Sequence, residues 1–314
     1  MKHFKNILVY LHDSQRIDHD LIRRAAKLAM RNGAEVTLLT GMKSIPKTLN
    51  ELIQPKLKSK LVDDYKKQID LLLEQALEPH KEQGIPISYR IIEGKPFLSI
   101  IKQVLKNAFD LVILSPDKED SVSDMFFGTT VMNLLRKCPR PVWVFKPALK
   151  GTYNRVLAAV DTSTRIDEEK RLNASIVEMA RVLAEREDAE LHFVHCWEAS
   201  GEIFLRSSIP PAYSGIIEEY KNKIFTTAQK DFEECIGAGG ADINKKMIHF
   251  NRGAPGVVIP ELVRQLDVEL VVMGTLGRSG ITGLFIGNSA EKIIDGIDCS
   301  VLALKPDGFV SPVK

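Results

Sequence analysis

Two short apolar stretches, Asp110-Leu-Val-Ile-Leu114 and Glu269-Leu-Val-Val-Met273, decide the fold, because the second repeats the first 159 positions later. The same offset relates three further pairs: Gly94-Lys-Pro96 and Gly253-Ala-Pro255, Gly128 and Gly287, and Lys146-Pro147 and Lys305-Pro306. Near the amino ends of the two halves, Asn6-Ile-Leu-Val9 matches Arg155-Val-Leu-Ala158. Agreement at several places in one register indicates that the chain contains an internal duplication.

Each half alternates short apolar stretches with segments of helical periodicity. The predicted strands are Ile7–Leu11, Glu35–Thr40, Ile87–Ile92, Leu111–Leu114 and Val142–Phe145 in the first half, and Val156–Val160, Leu191–Cys196, Met247–Phe250, Leu270–Met273 and Val301–Leu304 in the second. Continuous apolar strands are typical of parallel sheets covered on both faces. We therefore predict an α/β fold of two Rossmann-like domains, 1–150 and 151–314, each a five-stranded parallel sheet with helices on both faces.

Composition excludes several classes of protein. The 314 residues carry 43 Lys and Arg against 41 Asp and Glu, a formal charge of +2, so no nucleic-acid partner is expected. No apolar stretch approaches the roughly 18–20 residues that span a bilayer. The amino terminus lacks the pattern of a secretory signal, which favours a cytoplasmic location. The 4 cysteines are widely separated, which argues against a disulfide framework or a thiol zinc site.

A glycine-rich segment follows the predicted strand Leu270–Met273. Its glycines are spaced Gly274-x2-Gly277-x9-Gly287, and Arg278 adds a positive charge. We expect the first two glycines to permit a sharp turn and a close approach of ligand to the main chain. After Gly287 a helix begins, and Glu291, three residues after Asn288, fits a capping box. Free N–H groups at a helix start bind anions, so the segment predicts a phosphate site; the alternative is a loop shaped by glycine around an ordinary helix cap.

This segment and the duplication resemble the universal stress protein family, in particular its tandem-domain E-type branch. The resemblance covers essentially the whole chain, and Leu134-Leu-Arg-Lys-Cys-Pro-Arg-Pro-Val-Trp143 and Gly287-Asn-Ser-Ala-Glu291 add to it. It implies a fold of the adenine-nucleotide alpha-hydrolase type, with the two domains arranged as a pseudo-dimer. It also implies ATP as the ligand, with or without Mg²⁺, and a role in the stress response as a sensor or adaptor.

The family's binding pattern can be placed on this chain residue by residue. The resemblance implies that Asp161 lies on the adenosine side, that the main chain of Cys196 contacts adenine, and that Met273 and Gly274 lie against base and ribose. Arg278 would lie near the phosphates. The residues that would hold the phosphates are Gly277, Gly287, Asn288, Ser289 and Ala290. Asn288 departs from the family pattern, which usually has Ser or Thr there. Its N–H remains a donor, and Ser289 supplies a hydroxyl one residue later.

The first half departs further from that pattern. His12 stands at the position of Asp161, and Ser115 at the position of Gly274. Pro116 follows and offers no N–H. Acidic side chains between Ser115 and Gly128 would repel a triphosphate. We therefore predict that the first domain has lost nucleotide binding and serves as a structural or partner-binding domain.

Enzymatic classes find little support in the sequence. Walker-type, metalloprotease and adenylating-enzyme motifs are absent from the sequence, so we expect no enzyme, although slow ATP hydrolysis stays open. His192 and His195 are three residues apart on a strand, so their side chains should point to opposite faces of the sheet. Two histidines in this arrangement are poorly placed to bind one metal ion. No base accompanies Cys196 at a defined spacing. The acidic loop Asp117–Asp124 is interpreted as solvated, and binding of a divalent ion is the alternative.

Two further hypotheses concern surfaces. The segment from Ala199 to Gly215 carries aliphatic and aromatic residues, as does Gly41 to Lys60, and these would roof an apolar cleft for a lipid-like or nucleotide-linked amphiphile. Ordinary burial under a long loop is the alternative.

The last strands, Val142–Phe145 and Val301–Leu304, are apolar edges, so we predict that the two domains pair through them. Formation of a homodimer by two chains is left open.

Overall fold

The computed structural model describes residues 4–13, 16–41, 52–81, 83–116, 127–148, 151–163, 166–208, 210, 214–237, 243–275 and 287–313. The chain forms two compact units, of which the first comprises Met1–Pro147 with Val310–Lys314 and the second comprises Ala148–Phe309. None of the helices within those described ranges is both long enough and apolar enough to cross a membrane.

Unit 1 alternates strands and helices throughout. Its elements are β1 (Asn6–Leu11), α1 (His19–Asn32), β2 (Glu35–Gly41), α2 (Pro55–Lys81), β3 (Ile87–Ile92), α3 (Pro96–Asn107), β4 (Leu111–Leu114), α4 (Gly128–Lys137) and β5 (Val142–Val144). The strands pair in parallel in the order β3-β2-β1-β4-β5. The order reverses between β1 and β4, and at such a switch the carboxyl ends of the strands open onto a crevice.

Unit 2 repeats this plan. Its elements are β6 (Arg155–Ala159), α5 (Asp167–Glu187), β7 (Glu190–Trp197), α6 (Glu202–Ser208), α7 (Ser214–Ile236), β8 (Ile248–Arg252), α8 (Pro255–Gln265), β9 (Leu270–Gly274), α9 (Asn288–Gly296) and β10 (Ser300–Leu304). The parallel order is β8-β7-β6-β9-β10, which is the order of unit 1 when the strands are counted within each unit. The predicted α/β class and the two five-stranded parallel sheets are confirmed.

The central strands are apolar because both of their faces are covered. All residues of β4 and β10 are buried, and so are the last four of β6. The helices that cover the sheet place their apolar faces inward; in α5, for example, Ile176, Ala180 and Ala184 are buried at helical spacing. Burial of this apolar surface is the main favourable term in the folding of each unit.

One predicted loop is partly helical. The segment after β7 contains α6, and Glu202 at its start is 9% exposed. The Glu202 carboxylate accepts hydrogen bonds from Arg252 of β8 at 2.6 Å and from Arg206 one turn later in α6 at 3.1 Å. The helix was missed because a contact with a distant arginine stabilises it, which local periodicity does not reveal.

Aromatic side chains pack between β7, β8 and α7 in the core of unit 2. Phe232 is fully buried, with its ring centroid 5.7 Å from that of His195 and 6.0 Å from that of Phe250. Replacing Phe232 by Ala should lower the free energy of unfolding by about 3–5 kcal/mol, because the cavity lies in a packed core. Phe204, which is 69% exposed, is the matched control, and its change to Ala should cost less than about 0.5 kcal/mol. Urea unfolding followed by circular dichroism measures both, and equal effects would contradict the packing described.

Candidate functional site

Four of the predicted residues lie at one edge of the second sheet. β6 pairs with β9 so that Ala159 is level with Met273, and β6 pairs with β7 so that Ala159 is level with Val194. Asp161 lies two residues after Ala159, Cys196 lies two residues after Val194, and Gly274 lies directly after Met273. Because parallel strands end on the same side of a sheet, these residues gather where the strand order reverses.

The main chain at Asp161 is fixed by a helix. Asn173 of α5 accepts a hydrogen bond from the Asp161 N–H at 3.1 Å and donates one to the Asp161 carbonyl at 2.7 Å. The Asp161 side chain is exposed, and its carboxylate accepts hydrogen bonds from the N–H and hydroxyl of Ser163. The sequence analysis did not identify Asn173. An amide side chain on the buried face of a helix was the available signal.

Gly274 does not make the sharp turn that was predicted. It is the last residue of β9 and does not have a left-handed backbone. A Cβ atom at this position would lie 3.0 Å from the Cδ2 atom of Leu172 and 3.7 Å from the Cδ1 atom of Ile176, both in α5. The glycine therefore allows a helix to pack closely on the strand end, and its contact with a ligand stays a prediction.

The start of α9 differs from the predicted capping box. The helix begins at Asn288, and the N-cap is Gly287, whose extended backbone has φ −63° and ψ 139°. Asn288 is therefore inside the helix. Among the residues that the structure describes, no side chain makes a capping hydrogen bond to the start of α9. The capping-box prediction is wrong because the position that must supply the capping oxygen is a glycine. Asn288 and Ser289 are exposed, whereas Ala290 is buried.

A hydrogen bond connects this helix start to the sheet edge. The Gly287 N–H donates to the carbonyl of Thr275 at 3.0 Å, directly after β9. Thr275 is fully buried, and its hydroxyl has no hydrogen-bond partner among the residues that the structure describes. A buried hydroxyl without a partner is costly, so this atom is poised to accept or donate a bond to a bound group. Sequence reasoning missed Thr275 because a threonine after a strand glycine carries no signal of burial.

Gly277 and Arg278, the remaining predicted residues, lie outside the described residues. The same holds for the acidic loop Asp117–Asp124 of the first half. Their roles stay predictions.

The corresponding edge of unit 1 is occupied by the protein's own side chains. The Ser115 hydroxyl donates to the Asp18 carboxylate at 2.6 Å, and His12 Nε2 is 2.7 Å from the Ser115 carbonyl oxygen. The second oxygen of Asp18 accepts the Leu21 N–H and caps α1. At the start of α4, Gly128 has a left-handed backbone with φ 70°, unlike Gly287. The two helix starts are therefore built differently.

Cys196 has the properties of a half-buried neutral thiol. Burial and the nearby Asp161 raise the pKa of Cys196 to about 12. At neutral pH the thiolate is almost absent, and the thiolate is the nucleophilic form. This agrees with the interpretation that the side chain of Cys196 is not a catalytic nucleophile.

We expect Cys196 to resist alkylation in the folded protein. Iodoacetamide at pH 8 should leave it unmodified for as long as the fold persists, while the same chain in urea should be labelled at once. Peptide mass spectrometry measures the label at each cysteine. Rapid labelling of Cys196 in the folded chain would contradict the raised pKa.

The histidines of β7 point to opposite faces of the sheet, as predicted. His195 stacks on Phe250, whereas His192 stacks on His249 with their Nδ1 and Nε2 atoms 3.0 Å apart. Within the described part of the chain, no group of three or more His, Cys, Asp or Glu side chains could hold a metal ion. The two histidines form a hydrogen-bonded pair in which His192 is buried and His249 is half-buried.

This pair makes stability depend on pH. Burial lowers the pKa of His249 to about 4, with His192 adding to the effect, and burial also lowers the pKa of His192 against the opposing influence of Glu190. The neutral pair contributes stability that is complete above the usual histidine pKa of 6.5 and is lost as the pH falls toward 4. Arg155, which is ion-paired with Glu190, further disfavours protonation of His192.

Replacing His249 by Phe should therefore flatten the decline in unfolding free energy between pH 6.5 and pH 4. The ring stack with His192 is retained while one titrating group is removed. His19 is exposed and serves as the matched control, so its change to Phe should leave the pH profile as in the wild type. Urea unfolding across this pH range measures the profile, and an unchanged slope in the His249 variant would refute the assignment.

Together, the repeated strand order and the paired helices define a tandem α/β protein in which each unit has a strand-order switch. A model of the universal stress protein family matches the chain twice, at residues 3–146 and 152–305. The chain therefore belongs to the universal stress protein family and carries the family domain in tandem.

Several known proteins are similar to the chain over its full length. Universal stress protein E of Photorhabdus laumondii is 27% identical over 317 residues, covering 100% of this chain and 99% of the relative. Universal stress protein E of Escherichia coli K12 is 28% identical over 316 residues, covering 100% and 98%. A solved protein of unknown function from Pseudomonas aeruginosa has a TM-score of 0.70 at 24% identity, covering 98% of this chain and 94% of that one, and shows the same fold.

Proposed function

We propose that unit 2 binds ATP or a related adenine nucleotide at the carboxyl edge of its sheet. The chain then acts in the stress response of its family as a nucleotide-dependent sensor or adaptor, and not as an enzyme. Unit 1 serves as the structural or partner-binding domain. The predicted pairing of the two domains through their last strands, and any homodimer, stay predictions.

The start of α9 carries this proposal. Its first-turn N–H groups receive no side-chain cap, and the positive end of the helix dipole lies there. The hydrogen bond from Gly287 to Thr275 holds this end against the edge of the sheet. The buried Thr275 hydroxyl is a second, independent group, and it has no partner within the described part of the chain. A phosphate supplies acceptors for both the amides and the hydroxyl.

In this proposal, residues at the neighbouring strand ends contact the adenosine part of the nucleotide. Asp161 presents an exposed carboxylate on a backbone fixed by Asn173, which suits hydrogen bonding to ribose hydroxyls. Adenine would then contact the main chain of Cys196 and lie against Met273, as the resemblance to the family implies. Met273 is buried and supplies an apolar surface against which a base can pack.

A binding role fits this chemistry better than turnover. The Cys196 thiol is neutral, and the Asp161 carboxylate already accepts two hydrogen bonds from Ser163. Neither group is prepared as a nucleophile or as a general base. If Mg²⁺ accompanies the nucleotide, it neutralises phosphate charge, and the amides of α9 continue to orient the phosphates.

The amphiphile hypothesis has less support. It requires apolar side chains of the segment after β7 to cover a cleft, yet Phe204 points to solvent with 69% of its surface exposed. Leu52 of the matching first-half segment is 82% exposed. Mass spectrometry of compounds released from the denatured protein separates the two hypotheses, because an acyl-bearing compound would favour the amphiphile and an adenine nucleotide would favour our proposal.

Placing a carboxylate at the N-cap tests the proposed site most sharply. Gly287 has an extended backbone that any residue adopts, so Gly287→Asp should cap α9 with its own anion and stabilise it by about 0.3 kcal/mol. The same carboxylate should exclude phosphate and weaken ATP binding by at least about tenfold. Isothermal titration calorimetry and thermal unfolding measure the two effects.

Gly287→Asn is the matched control, because it caps the helix without a charge. We expect ATP affinity to decrease in the order wild type, Asn variant, Asp variant. Equal ATP affinity of the wild type and the Asp variant would remove the start of α9 from the site.

A further inference from the structure

Helices α8 and α9 approach each other closely at two glycines. A Cβ atom on Gly256 of α8 would lie 2.6 Å from the Cβ atom of Lys292 in α9. One turn further along both helices, a Cβ atom on Gly296 of α9 would lie 2.8 Å from the Cγ atom of Pro260 in α8. Both distances are shorter than side-chain contacts allow, so the separation of the helices depends on the absence of side chains at these two positions.

The glycines are required for this contact and not for their backbone conformation. Neither Gly256 nor Gly296 has a left-handed backbone, so an alanine could adopt either conformation without strain. Alanine would also favour the helix over glycine. The contact between the helices is therefore the physical reason for glycine at both places.

Unit 1 lacks both glycines at the corresponding positions. In the internal alignment of the two halves, Phe97 of α3 corresponds to Gly256, and Lys137 of α4 corresponds to Gly296. The Lys137 ammonium lies 4.9 Å from the centroid of the Phe97 ring. A cation–π contact between long side chains thus connects α3 and α4, in place of the close backbone approach between α8 and α9.

We propose that Gly256 and Gly296 are positioning residues for nucleotide binding: they set how far α9 lies along and against α8, and so where its first-turn amides meet the phosphates. This inference rests on the proposed function and adds to it the determinant of phosphate affinity. The amides must be in register with the edge of β9, to which the 3.0 Å bond from Gly287 to Thr275 joins them. Displacement by about 1 Å is enough to lose well-oriented hydrogen bonds to a ligand.

The direct test compares Gly256→Ala with Gly215→Ala in the full chain. Each glycine is the second residue of its helix, but a Cβ atom on Gly215 would meet nothing within 4 Å. The Gly256 variant should bind ATP about tenfold more weakly than the wild type, because the amides of α9 move away from the phosphates. Its affinity for adenosine, which has no phosphate, should stay within about twofold. The Gly215 variant should bind both compounds as the wild type does.

Restoring the space should restore the affinity. In the double variant Gly256→Ala/Lys292→Gly the clashing side chain is absent, so its ATP affinity should return to that of Lys292→Gly alone. A merely destabilising change would not give this recovery together with a selective loss for the phosphate-bearing ligand. If Gly256→Ala does not fold by circular dichroism, Gly296→Ala with and without Pro260→Ala provides the same comparison from the other contact.

Two results would overturn the inference while leaving the proposed function intact. One is unchanged affinity of the folded Gly256 variant for both ATP and adenosine; the other is a loss of affinity by the same factor for both ligands. Absence of ATP binding by the wild type is a different outcome, which would overturn the proposed function and this inference with it.

Discussion

The backbone N–H groups at the start of α9 are the constraint on which the functional account depends. A helix leaves its first amides without partners, and a side chain, water or a ligand must satisfy them. Here the N-cap is Gly287, which has no side chain, and its own N–H is taken by the Thr275 carbonyl. The following amides lie at the positive end of the helix dipole. The hydrogen bond from the Gly287 N–H to the Thr275 carbonyl joins this helix end to the edge of the sheet.

The two units share one fold but differ at the carboxyl edges of their sheets. Their strand orders agree, so the difference lies in the residues beyond the strands. In unit 1, the Ser115 carbonyl is within hydrogen-bond distance of His12 Nε2, and the Ser115 hydroxyl donates to Asp18, so these polar groups are satisfied within the protein. In unit 2, the helix side chain Asn173 fixes the backbone of Asp161 and leaves the carboxylate exposed. A duplicated chain can keep one copy for binding while the other copy becomes structural.

Buried parallel strands were predictable because continuous apolar stretches such as β4 and β10 have few other interpretations. The features that were missed or wrong depend on contacts between distant residues. Helix α6 depends on Glu202 meeting Arg252, and Gly274 is explained by Leu172, which lies on another element. The capping box failed because the sequence does not state which residue has the extended N-cap backbone. Thr275 was missed because burial of a single hydroxyl is a property of the folded edge.

Hydrogen–deuterium exchange of the full chain with and without ATP tests the central claim most directly. Amides at the start of a helix exchange readily unless a ligand accepts their hydrogen bonds. The account predicts slower exchange with ATP in peptides that contain the end of β9 and the first turn of α9, and no change in the matching peptides from β4 and α4. Protection confined to β4 and α4, or ATP binding that leaves the start of α9 exchanging as before, would contradict it.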